Sequence, residues 1–171
     1  MALGALRPGD RVQLIEGEIV ETAPQGPRHF TAVSLVEQAL RRVFDKNHVV
    51  RVQGPLALGA LSEPEPDVAV VTGDARTYRD HHPVTAVLVV EVADDTLAFD
   101  RTRKAALYAS AGIPEYWIVN LPDRTLEVHR DPTPDNGGRP AYRDVLRLGP
   151  VEQVSPLARP DRSLAVGELL P

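Results

Sequence analysis

Glu91 is the residue that breaks its surroundings. It sits within Val87-Leu88-Val89-Val90-Glu91-Val92-Ala93, a run that otherwise reads as a strand buried on both faces. A carboxylate there loses hydration and needs compensation. One reading is a strand end reaching water; the other is a metal ligand or general base. Asp67, after Pro66, opens a second such run, Asp67–Thr72. If the two runs are antiparallel neighbours, the start of one lies beside the end of the other. Asp67 and Glu91 then share a rim of the sheet, where their mutual repulsion invites a cation. Taken alone, Asp67 reads equally as a turn or cap residue. Oxygen-only ligation suits Mg²⁺ or Mn²⁺, which keep several waters.

A cation can reach the same rim. Asp100, Lys104 and Tyr108 recur at four-residue steps on a helix predicted over 97–111, so they form one stripe. The plain reading of Asp100 and Lys104 is a surface pair. Against it stands the composition: 17 arginines and two lysines, Lys46 and Lys104. A lysine where the chain otherwise uses arginine suggests a compact ammonium with an adjustable pKa.

These residues need a scaffold. Val12–Ile15 and Glu18–Thr22 read as a strand or hairpin split at Gly17. A helix is expected from about Arg28 to Asp45, with Phe30, Val33, Val36, Leu40 and Phe44 on its apolar face. His48–Gln53 is a short strand, and Leu56–Leu58 is a candidate extension of the sheet. Gly73–Thr85 is a polar loop. Gly112 is placed as the left-handed residue ending the second helix, with Pro114 beyond it. Glu115–Asn120 and Thr125–Arg130 read as a hairpin. Asp131–Pro140 reads as a loop, and Tyr142–Leu148 and Ser163–Leu169 as late strands or turns. The result is an α/β (α+β) mixed sheet with flanking helices in a single 1–171 domain. Its core covers about 12–130, and 131–171 is a C-terminal extension.

Composition narrows the field. The chain has 171 residues, no cysteine, 43% apolar residues and a net charge of −5. Thiolate metal sites, disulfides and cysteine nucleophiles are excluded. No apolar run approaches the roughly 18 residues of a membrane helix, and the first residues do not read as a signal peptide, so a cytoplasmic protein is expected. Abundant proline with few Asn, Gln and Met fits a thermophilic source or a GC-rich genome. No G-x-S-x-G, Walker loop or G-x-G-x-x-G is present.

The ordered set of motifs resembles the PD-(D/E)xK nuclease superfamily, and within it the Uma-two (Uma2) family of endonucleases. The likeness runs through Leu14-Ile15-Glu16-Gly17-Glu18-Ile19-Val20, His29, Glu65-Pro66-Asp67-Val68 and Val90-Glu91-Val92. It continues through Asp100-x3-Lys104-x3-Tyr108, Gly112 and Glu115-Tyr116-Trp117-Ile118-Val119. The resemblance implies a restriction-endonuclease-like core, with Asp67 and Glu91 as metal-binding acids and Lys104 as the catalytic lysine. Two departures stand out. The superfamily's simplest pattern puts the lysine two residues after the glutamate, where this chain has Ala93. Asp94 replaces a residue that is more often a small hydroxyl, and could bind metal or repel phosphate.

The reading is therefore a metal-dependent DNA endonuclease. Tyr108, Asp100, Glu18 and His29 are supporting candidates. His29 also reads as a capping or packing residue, and Glu18 as a solvent-facing one. Arg41, Arg42, Lys46, Arg101 and Arg103 are candidate phosphate contacts, though each also reads as a solvated helix face. Glu37 reads as a helix flank, His81–His82 as loop residues, and Tyr116 and Trp117 as core. A homodimer is expected because double-strand cutting needs two sites. The alternative is a catalytically silent DNA-associated or regulatory module on the same fold.

Overall fold

The computed structural model describes residues 12–22, 24–133 and 138–171. Strands β1 (Val12–Ile15) and β2 (Glu18–Glu21) form a separate antiparallel hairpin. Glu16 and Gly17, both at positive φ, make its two-residue turn, a geometry that matches strand twist. Helix α1 (Pro27–Val43) begins with proline in its first turn, where the missing N–H costs nothing. A six-stranded sheet comes next, in the order β3 (His48–Val52), β4 (Val68–Thr72), β5 (Leu88–Ala93), β6 (Glu115–Asn120), β7 (Thr125–Thr133) and β8 (Ala141–Leu148). Only β5 and β6 are parallel; the other neighbours are antiparallel.

Between β5 and β6 the chain crosses over as one helix of three parts. These are α2 (Leu97–Phe99), a π-helical turn (Asp100–Lys104) and α3 (Ala105–Ser110). Gly112 comes after them at φ 69°, the left-handed position expected of it. The sequence pattern predicts an unbroken helix here. The π turn is the difference, and its extra residue rotates the two helical halves relative to each other.

Each face of the sheet has its own core. On one, Ala32, Val33, Val36, Ala39 and Leu40 of α1 cover Val68, Val70, Val90, Val92 and Trp117. The short strands β9 (Gln153–Val154) and β10 (Leu164–Ala165) and the 3₁₀ turn Val166–Leu169 complete that layer through Val154, Leu164, Val166 and Leu169. On the other, Ala105, Tyr108, Ala109 and Ile113 cover Ala69, Val89, Tyr116 and Ile118.

Several expectations change. Phe30 is 62% exposed, because the first turn of α1 projects beyond the sheet that would have covered it. Leu56–Leu58 adds no strand: Leu56 is buried, but its backbone bonds to Pro64 in a loop. Strand β7 runs on to Thr133, since Pro132 and Thr133 stay in register with Tyr142 and Ala141. The polar loop 73–85 contains a 3₁₀ turn, Ala75–Tyr78, capped by Asp74. Part of the expected 131–140 loop lies outside the described residues.

Candidate active site

Register brings the two acids together. Val68 pairs with Val90 across β4 and β5, so Asp67, one residue before β4, stands at the level of Glu91. The carboxylate of Asp67 then does what a backbone carbonyl would do in a longer ladder. Its Oδ2 accepts the Val92 N–H at 2.8 Å. Residues 61–65 deliver Asp67 to that place by clamping to the hairpin. Gly17 N–H donates to the Leu61 carbonyl, Glu16 N–H to Ser62 Oγ, and Glu63 N–H to the Leu14 carbonyl.

Glu91 is 2% exposed. One oxygen, Oε1, accepts from both Tyr108 OH at 2.7 Å and Lys104 Nζ at 2.8 Å, leaving Oε2 outside either contact. Asp100 lies 3.8 Å from the same ammonium and accepts from Thr96 Oγ1 at 2.6 Å. Burial pushes the Glu91 carboxyl up to about 7, aided by Asp67 and Asp100 and opposed by Lys104. Burial likewise raises Asp100. Burial pulls the Lys104 ammonium down, but Glu91 and Asp100 more than offset it, so it stays charged. Burial holds Tyr108 far above the usual phenol range, so it acts as a donor.

His29 enters from the first turn of α1, with Nε2 3.3 Å from Asp67 Oδ2. Burial lowers its pKa, but Asp67, then the Val92 backbone and Glu91, raise it by more, leaving a net increase. Its Nδ1 is buried and has no hydrogen-bond partner among the described residues. Gln25 Nε2 reaches Asp67 Oδ1 at 3.4 Å. These groups floor a cavity of about 890 Å³ that also bears Glu21, Glu65, Asp94 and Asp95 at its mouth.

The structure thus brings Asp67, Glu91, Asp100, Lys104, Tyr108 and His29 together. Glu18 stays outside: it is exposed and bonds Arg103 Nη1 at 2.8 Å. Arg41 pairs with Glu37, Arg42 with Glu168, and Arg101 with the buried Glu127. Lys46 is exposed in the turn after α1. None of these five side chains lines the cavity, Arg103 included. His82 faces Glu63 at 3.6 Å, away from the acids. Thr96 and Gln25 carry no role in the sequence pattern. A threonine at a helix start with an aspartate four residues on was the available cue for Thr96; none existed for Gln25.

Among the described residues, no three His, Asp or Glu side chains cluster tightly enough to hold a metal unaided. Asp67 and Glu91 still fit a hard divalent ion, which takes one or two carboxylates and keeps several waters. Both are oxygen donors on one rim, and Glu91 takes its Tyr108 and Lys104 contacts through Oε1 alone.

A six-stranded mixed sheet with one helix crossing over between its two parallel strands is the fold that positions these groups. The fold matches a crystal structure described as a "putative nuclease belonging to DUF820" from Anabaena variabilis ATCC 29413. The TM-score is 0.71 over 98% of this chain and 93% of that one, at 16% identity. The chain belongs to the Uma2 family, described as "Putative restriction endonuclease", whose family model matches residues 2–167. No curated protein matches it. Among the described residues no helix is long and apolar enough to cross a membrane.

Proposed function

We propose that this chain is a Mg²⁺- or Mn²⁺-dependent DNA endonuclease. The observation that carries the reading is the convergence of Asp67, Glu91 and Lys104 on one rim, with Lys104 Nζ 2.8 Å from Glu91. Family membership and the matched nuclease fold support it. Asp67 and Glu91 would hold the ion, which when bound polarises a phosphodiester oxygen and lowers the pKa of a water. Lys104, kept charged, orients the attacking water or offsets charge developing on the phosphate. Tyr108 fixes Glu91 from behind. His29 and Gln25 fix Asp67. Double-strand scission would use two copies of this site, in a homodimer.

The silent-module reading has its own observation. The cavity mouth is rimmed by carboxylates, and the arginines Arg41, Arg42, Arg101 and Arg103 are engaged with Glu37, Glu168, Glu127 and Glu18. One experiment separates the two. Supercoiled and linear DNA are incubated with Mg²⁺, Mn²⁺ or EDTA, using wild type, Asp67→Asn, Glu91→Gln and Lys104→Met. The nuclease reading expects metal-dependent cutting reduced at least ~10²-fold in each variant. Equal cutting by all four proteins, or none by wild type in either metal, overturns it.

A further inference from the structure

We infer that Tyr116 is a positioning residue for Lys104, acting through the π turn. In a regular helix the carbonyl of Asp100 would accept the amide four residues on, at Lys104. Here the Ala105 N–H reaches back to it instead, five residues away. Such turns are rare, are strained relative to the α-helix, and concentrate at functional sites. This one has a second partner: Tyr116 OH donates to the Asp100 carbonyl at 3.2 Å, in the buried interior.

The donor is aimed by its surroundings. Tyr116 sits in β6, paired with Val89 of β5 and His129 of β7, and is wholly buried. Its ring packs against Tyr108 at 5.0 Å, His129 at 5.4 Å and Tyr142 at 6.1 Å. Burial keeps its hydroxyl protonated, so it always has a proton to give. The contact therefore links a rigid strand to the carbonyl that accepts the turn's five-residue bond from Ala105. Its geometric effect is large. Adding or removing one residue in a helix rotates the downstream residues by about 100°. Closing the π turn would rotate Lys104 relative to Glu91, which is held on the neighbouring strand.

The inference rests on the nuclease reading only for what the placed ammonium does, and the placement can be read without activity. Lys46 and Lys104 are the chain's two lysines. Lys46 is exposed and Lys104 is 6% exposed. The full chain is acylated with a limiting N-hydroxysuccinimide ester of acetic acid, and each lysine is followed by peptide mass spectrometry. Lys46 serves as the internal standard. In Tyr116→Phe the Lys104 rate should rise about fivefold relative to Lys46, the scale of losing one buried hydrogen bond. Tyr142→Phe is the control. It removes a buried hydroxyl from the same aromatic cluster, but one that donates to the Ile113 carbonyl at 2.9 Å. It should leave Lys104 protected. In cleavage assays Tyr116→Phe should lower kcat and leave KM unchanged.

An unchanged Lys104 rate in Tyr116→Phe overturns the inference. So does equal exposure of Lys104 in Tyr142→Phe, which would assign protection to general packing. A wild type that cuts no DNA sinks the nuclease reading alone; the labelling result still decides the role of Tyr116.

Discussion

Glu91→Gln should make the metal-free protein progressively more stable than wild type as pH rises. In the folded chain burial lifts the Glu91 carboxyl to about 7, against 4.5 for an ordinary glutamate. A group whose folded pKa is raised binds its proton more tightly when folded. Its contribution is complete below the unfolded value and is lost as pH climbs through the folded one. Between about pH 5 and about pH 8 the two titration curves differ by roughly two pH units, or about 2–3 kcal/mol. Glutamine keeps the shape and has no proton to lose, so the variant escapes that penalty. It also forfeits the charge that Lys104 faces, an attraction that arises only as Glu91 ionises and is already contained in the folded value of about 7. For a chain of this size the relative shift in Tm between those pH values is about 4–12 °C. Urea midpoints of both proteins, in EDTA across that range, give the difference directly. Groups away from Glu91 cancel in the subtraction, and His29 does so in part, since Glu91 is the weakest of the influences that raise it. A difference that stays flat with pH, or that moves against the variant at alkaline pH, would refute the claim that Glu91 is destabilised by burial.

Other consequences are simpler. Glu115 is fully buried and accepts from Trp117 Nε1, Arg130 and the Leu157 N–H, so Glu115→Ala should cost about 3–5 kcal/mol in urea denaturation. Gly112→Ala should cost about 1–2 kcal/mol from backbone strain alone. The added Cβ meets nothing within 4 Å, but φ is +69°. Arg101 and Asn120 outweigh burial to hold the Glu127 carboxyl below its usual range. That stability is present above about pH 4.5 and is lost as pH falls through the folded value. Arg101→Ala should therefore flatten the acid limb of the wild-type stability curve, measured by urea midpoints at fixed salt.

The acid pair was legible because strand pairing is encoded in pattern. Two runs apolar on both faces but for their acids had to be central, and a hairpin-like order placed the head of one beside the tail of the other. Lys104 was legible through helical spacing and through its rarity as a lysine. The π turn was not, because it leaves no local compositional mark and depends on Tyr116 arriving from a strand still to come. Thr96 and Gln25 were missed because single hydroxyl and amide contacts depend on three-dimensional closure. Phe30 had the right spacing for the core, but spacing does not tell where a sheet ends. Leu56–Leu58 had strand-like residues, but its amides bond within the loop, Leu56 to Pro64 and Leu58 to Ser62.

The bond from Val92 N–H to Asp67 Oδ2 gives this aspartate a second occupation. It closes the sheet where β4 has run out of backbone. If the chain is the nuclease proposed, a lineage that lost cleavage would still be under pressure to keep Asp67, since losing it strands a buried amide. On the proposed nuclease reading Glu91 is under the opposite pressure: a buried carboxylate is a burden the fold could shed, together with the Lys104 ammonium it faces, once cleavage was not required. Among relatives of this chain, then, a retained glutamate at this position is a better sign of a working enzyme than a retained aspartate.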